Sequence, residues 1–351
     1  MENKFLEANI LTIAFCLIAL VLFFDFINGF NDGANMMVTP VITGALEPRR
    51  ALLLIALFEF VGAWFLGTAV AQTLGKGIVN PKNITVAVIF SAVGGAVLWS
   101  LSGWYFGMPS SSSHALIGGL LGAVSINSGL ESIHWSKVGQ VLAVLIVTPI
   151  VGLATTRYLF RIILLLFSNL KPNLANRLLK KLQILSSISL ALSYGSNDAQ
   201  KGMGMISLGL LTLYGTSSEI MGRIYQPLPQ NAFYVPNWVI LACSLALALG
   251  ASSGGWRIMK TLGSKLYRVR PVHGFSAQAS SSVIIYLSSV FGFPLSTTQI
   301  ISSSILGAGS AQSLGAVRWG IGRQILFTWI ITIPGSALLA AFSLVLIKRW
   351  I

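Results

Sequence analysis

The stretch Phe106-Gly-Met-Pro-Ser-Ser-Ser-Ser113, followed by Leu121-Gly-Ala123, returns later in the chain as Phe291-Gly-Phe-Pro-Leu-Ser-Thr-Thr298, followed by Leu306-Gly-Ala308. The offset is 185 residues throughout. Gly29-Phe-Asn-Asp32 matches Gly195-Ser-Asn-Asp198 at an offset of 166. Gly62-Ala63 and Thr73-Leu-Gly75 match Gly250-Ala251 and Thr261-Leu-Gly263 at an offset of 188. Three motifs kept in order along two halves mark an internal duplication. The step from 166 to 188 places a loop insertion in the second half, around 214–236.

The duplicated unit belongs in a membrane. Of the 351 residues, 54% are hydrophobic and 9% charged, where a soluble domain carries about 25% charged residues. The mean hydropathy is +0.79. Apolar stretches of spanning length, roughly 20 residues, recur at 10–30, 51–74, 84–105, 138–167, 238–251 with its flanks, and 325–347. The first has no small-residue cleavage site and flows into a repeated motif, so it reads as a span and not as a signal peptide. The net charge of +14 does not call for nucleic acid, because the basic residues sit in loops between apolar stretches, where they set orientation. Cys16 and Cys243 lie inside apolar stretches without metal spacing.

Each half reads as one span broken at its Asn-Asp pair, two further spans, a re-entrant hairpin at the Pro-Ser segment, and a last span. The expected fold is an all-α polytopic membrane protein of about 10–12 membrane segments. Its first repeat is 1–170, a cytoplasmic linker is 171–182, and the second repeat is 183–351. An odd number of crossings per half inverts the second relative to the first. With 157–182 cytoplasmic, the inside segments 46–50, 157–182, 257–270 and 311–323 carry 15 Lys and Arg. The outside segments 1–8, 76–82, 127–137, 214–236 and 348–351 carry 7, and Lys201 lies within a span. This bias puts both termini outside.

Charges inside apolar spans cost roughly 2.5–3.5 kcal/mol each at a helix centre, so they usually face a cavity and act. Asp32 and Asp198 hold the same place in both repeats, each after an Asn and three residues after a Gly. Gly permits a helix break, and Asn31, Asp32, Asn197 and Asp198 supply oxygen ligands for a small cation at the midplane. Glu59 joins this cation-binding and coupling set, although its repeat position holds Leu247. Asp25 precedes the motif and has no counterpart; a packing role and a functional one both stand open. Pro109 and Pro294 suit a first helical turn. The hydroxyls after them, Ser111, Ser112 and Ser113, and Ser296, Thr297 and Thr298, cluster where backbone N–H groups lack partners, which makes an oxyanion site. Lys201 lies three residues after Asp198, on the same helical face; it either neutralises Asp198 or holds an anion. Its counterpart is Asn35, and Asn35 and Gln200 complete the candidate substrate-binding set. An enzymatic reading through Ser113 and His114 fails, because adjacent residues on a helix point in different directions.

Four stretches carry a family resemblance: Asn28-Gly-Phe-Asn-Asp-Gly-Ala-Asn35, Trp104-Tyr-Phe-Gly-Met-Pro-Ser-Ser-Ser-Ser-His114, Ser193-Tyr-Gly-Ser-Asn-Asp-Ala-Gln-Lys-Gly202 and Pro294-Leu-Ser-Thr-Thr-Gln-Ile-Ile-Ser-Ser-Ser304. In these the chain resembles the inorganic phosphate transporter (PiT) family, most closely bacterial members of the low-affinity permease type, over essentially its whole length. The resemblance implies an inverted-repeat symporter of the cell inner (plasma) membrane, a homodimer, with no cofactor beyond its coupling ion, H+ or Na+. It implies uptake of phosphate, free or as a metal–phosphate complex, with Asn31, Asp32, Asn197 and Asp198 as the cation and substrate centre, sodium being one occupant, and the hydroxyl clusters closing on phosphate. Tyr194 and Gln299 stand where the bacterial pattern often has His, and Glu59 where some proton-coupled members have Asn. These departures bear on the coupling ion. A sulfate permease of the same fold and a passive anion channel are the competing readings.

The charge count makes a direct prediction about topology. In a cysteine-free background, a single Cys at position 171 will react with a membrane-impermeant maleimide only after intact cells are permeabilised; labelling from outside would reverse the orientation.

Overall fold

A computed structural model describes residues 2–77, 84–226, 233–254 and 269–350. Its main helices are α1 (Glu2–Ile42), α2 (Pro48–Phe65), α3 (Ala69–Gly77), α4 (Val86–Phe106), α5 (Ser112–Ser128), α6 (Trp135–Leu166), α7 (Pro172–Thr216), α8 (Ser218–Met221), α9 (Asn237–Ser253), α10 (Pro271–Val290), α11 (Thr297–Gln312) and α12 (Trp319–Trp350). Residues 172–182, expected from the sequence to be a linker, form the opening turns of α7. The repeat motif Thr261-Leu-Gly263, most of the basic segment 257–270, most of 76–82 and part of the 214–236 insertion lie outside the described residues.

The two Pro-Ser segments are hairpin tips. Gly107 closes α4 and Gly292 lies just past α10, both at positive φ of 65° and 72°. That left-handed turn is open to glycine without steric cost, and it returns the chain into α5 and α11. Each hairpin then packs on the last helix of the other half. Gly118 and Gly122 of α5 lie against the backbone of α12 at Ile333 and Ala337, and Gly307 of α11 lies against Leu153 of α6.

The Asn-Asp helices make the same exchange, and here the sequence expectation needs correction. The motif predicts a helix break at Asn31-Asp32 and at Asn197-Asp198, but α1 and α7 run through both as continuous helix. The glycines serve a different purpose. A Cβ on Gly29 would strike the Leu247 carbonyl of α9, and one on Gly195 would strike the Glu59 carbonyl of α2. Gly62 and Gly250 complete the two crossings, against Leu192 and Phe26. Small residues let helix backbones approach closely in a membrane, where there is no hydrophobic drive between helices. Among the described residues, the span that breaks is α2–α3, bent by 68°.

Among the described residues four helices can cross a membrane by length and composition, Asn9–Ile42, Val86–Phe106, Trp135–Leu166 and Trp319–Arg349, and the bent pair makes a fifth. α7 and α10 are also long helices, but less apolar in sequence, and α9 is a shorter apolar one. The polar side chains of α7 and α10, among them Gln183, Ser187, Asn197, Lys201, Ser276, Gln278 and Ser281, are buried inside the bundle. The outer surface carries Leu57, Ile146, Tyr158, Leu165, Leu338 and Phe342, as a lipid-facing surface requires.

The crossings predict an order of stability. Gly195→Ala will cost about 1–3 kcal/mol by overpacking against a backbone carbonyl. Gly139→Ala on α6, where a Cβ meets nothing within 4 Å, will be neutral or gain up to about 1 kcal/mol of helix propensity. Melting midpoints of the detergent-solubilised variants check this order.

Candidate substrate and cation site

Asp32 and Asn35 on α1, and Asp198 and Lys201 on α7, occupy equivalent i, i+3 positions of the two repeats, and α1 packs on α7. The starts of the two hairpin helices meet them. Ser111 and Ser296 are N-caps, accepting from the backbone N–H of His114 at 3.2 Å and of Gln299 at 3.3 Å. The next hydroxyls reach inward. Thr297 Oγ1 donates to Asp198 Oδ2 at 2.8 Å, and Thr298 Oγ1 donates to Asp32 Oδ1 at 3.1 Å. Asn35 Nδ2 donates to Asp32 Oδ1 at 3.2 Å and to Thr298 Oγ1 at 3.3 Å. Lys201 Nζ forms an ion pair with Asp198 Oδ1 and donates to Ser112 Oγ at 2.9 Å. Ser113 Oγ donates to the Leu295 carbonyl at 2.6 Å and laces the hairpin tips together.

The cluster is closed to solvent, with Lys201 1% and Asp198 0% exposed. Asp32 and Glu59 are buried as well, 1% and 0% exposed. Among the described residues four buried carboxylates, Asp25, Asp32, Glu59 and Asp198, accompany a single buried lysine, Lys201. Several buried acceptors find no donor: Asn31 Oδ1, Asp32 Oδ2, Asn35 Oδ1, Asn197 Oδ1 and both oxygens of Glu59. Native proteins leave few such groups, and each calls for an explanation. The Asn197 amide is held in place, since its Nδ2 donates to Ser289 Oγ at 3.2 Å and to the Phe293 carbonyl at 3.4 Å. Among the described residues, no three of His, Cys, Asp and Glu converge as a metal cage.

The profile of the phosphate transporter family matches residues 28–173 and 167–340. A Rhizobium meliloti protein named "Probable low-affinity inorganic phosphate transporter" is 40% identical over 325 residues, covering 93% of each chain. A Bacillus subtilis protein of the same name is 40% identical over 336 residues, covering 95% of this chain and 96% of its own. This chain belongs to the phosphate transporter family. Its members are transporters, not enzymes, and it is a multi-pass membrane protein. A solved structure titled "The sodium-dependent phosphate transporter" shares the fold, with a TM-score of 0.86 over 97% of this chain and 100% of that one, at 23% identity.

Not every candidate of this family member faces the centre. Gln200 turns away: its Oε1 accepts from the backbone N–H groups of Val70 and Ala71, at 2.7 and 3.2 Å, and so caps α3 beyond the bend. Ser111 and Ser296 are occupied by capping. Glu59 is drawn in because its own carbonyl sits at the Gly195 crossing. Tyr194, not singled out as a site residue, donates to the Thr297 carbonyl at 2.9 Å and anchors the second hairpin tip. Asp25 is fully buried beside Gly202. The sequence leaves its role open between packing and function.

Removing one member of a buried ion pair strands the other, at about 3–5 kcal/mol. Lys201→Met will lower stability by about this amount, and adding Asp198→Asn will recover most of it. Thermal melts of the single and double variants test the pairing, which is wrong if the single variant is no worse than the double.

Proposed function

We propose that this chain is a symporter that carries inorganic phosphate, together with a monovalent cation, across the cell inner (plasma) membrane. The carrying observation is the set of buried, donorless oxygens around Asp32 and Asp198, facing two hairpin helix starts. A cation supplies what those oxygens lack, and the helix starts supply what an oxyanion needs. The names of the relatives point to the same substrate.

In this reading the anion is held by Lys201, Ser112, Thr297 and Thr298, with Asn35 beside them. Phosphate near neutral pH keeps protons and can donate a hydrogen bond to a carboxylate, whereas sulfate meets it only as a like charge. Anion and carboxylates repel by about 4 kcal/mol per contact at 4 Å and an effective dielectric of 20. A bound cation converts that repulsion into attraction, so cation and anion bind best together, which is the thermodynamic requirement of symport. The amide oxygens of Asn31, Asn35 and Asn197 favour sodium, because a proton on a carboxylate leaves them unserved. The closeness of Asp32 and Asp198 supports a second reading, in which the two share a coupling proton. The crossed packing of the halves supports inverted repeats that rock against each other, and the Lys and Arg distribution supports termini outside.

Purified protein in proteoliposomes will accumulate labelled phosphate under an inward cation gradient. Asp32→Asn and Asp198→Asn will each abolish accumulation while leaving folded protein in the bilayer. Sulfate at equal concentration will not compete. Separate sodium and proton gradients identify the ion; normal accumulation by either variant, or uncoupled current, defeats the symport mechanism.

A further inference from the structure

A cavity of about 600 Å³ lies between α6 and α12 beside the starts of α5 and α11, with neither Asp32 nor Asp198 in its lining. These two helices each pack on a hairpin but barely touch one another. The first residues past the two hydroxyl runs, His114 and Gln299, line its inner wall with Ser303. The rest is apolar, built by Leu145, Ile146, Pro149 and Ile150 of α6 and Leu326 and Ile330 of α12. Its volume falls within the roughly 300–1,000 Å³ of small-molecule sites.

Arg323 also lines this cavity, four residues after Trp319 at the start of α12. Among the described residues no carboxylate pairs with Arg323. It nevertheless lies next to Leu326, Phe327 and Ile330, which are exposed on the lipid-facing surface. An unpaired guanidinium at a span end, beside an indole, suits the headgroup level of a bilayer. The positive-inside count puts this end on the cytoplasmic side, where anionic lipids gather and basic clefts between spans take their headgroups.

We infer that this cavity is an anionic phospholipid site: the headgroup phosphate pairs with Arg323, and an acyl chain fills the cleft between α6 and α12, beside the starts of α5 and α11. Charge complementarity decides the occupant. A second copy joined by two-fold symmetry would set this face against itself, and the cavity lining offers no carboxylate to Arg323. A neutral lipid would leave the guanidinium without a counter-ion.

The test is lipid retention by the full-length protein, read by native mass spectrometry after purification with phosphatidylglycerol or phosphatidylcholine. Wild type will retain phosphatidylglycerol over phosphatidylcholine by roughly fivefold, about the worth of one basic contact. Arg323→Gln will lose that preference. Gly322→Phe will lose the bound lipid itself; a Cβ there meets nothing closer than 3.8 Å, so the ring can enter the cleft without disturbing the helix. Equal retention of the two lipids by wild type, an unchanged preference in Arg323→Gln, or a cross-link between copies through position 150 would overturn the assignment. None of these readouts depends on phosphate transport.

Discussion

Asp198 and Lys201 are opposite charges on one helical face, both sealed from water, and each uses its remaining hydrogen bond on a different hairpin. Asp198 takes the hydroxyl of Thr297, and Lys201 gives to Ser112. Buried charges are tolerable only when paired and hydrogen-bonded, so both hairpin tips must be in place for α7 to keep its charges inside the bundle. Asp32 repeats half of this arrangement from α1, with Thr298 and Asn35 in place of a cation. The tips are in turn held together by the Ser113–Leu295 bond, and Tyr194 ties the second tip to α7. Anchoring the charges and assembling the anion-facing helix starts are therefore the same physical event.

The duplication supplies the frame, and the departures from it supply the chemistry. Lys201 answers Asn35, Glu59 answers Leu247, and Gln299 answers His114. At these positions, doubling the first half would give two glutamates and no lysine, and doubling the second would give two lysines and no glutamate. With one lysine among Asp25, Asp32, Glu59 and Asp198 in the described interior, the structure leaves amide and carboxylate oxygens that no internal donor reaches. That imbalance suits a site meant to be completed by something that arrives from outside.

The repeated Gly-x-Pro-x-Ser pattern was a sound guide to the hairpins because turn geometry and helix starts depend on a few adjacent residues: Gly107 and Gly292 take the left-handed turn, and Ser111 and Ser296 cap α5 and α11. The Asn-Asp motif misled on local structure, since a glycine that permits a break also permits a close helix crossing, and only the partner backbone at Leu247 or Glu59 tells which. Gln200 misled for the same reason, as its partner at the start of α3 is 130 residues away in sequence.

The sequence alone determined a duplicated helical membrane protein, its hairpin positions, and the two acids and one lysine at its centre, because periodicity, turn residues and the cost of charge in lipid are read from near neighbours. The tertiary structure decided which helices cross, which hydroxyls face the acids and which only cap, and that Tyr194 anchors the second hairpin tip. Those outcomes rest on contacts between residues far apart in the chain, where burial and hydrogen-bond partners are set by the whole packed bundle.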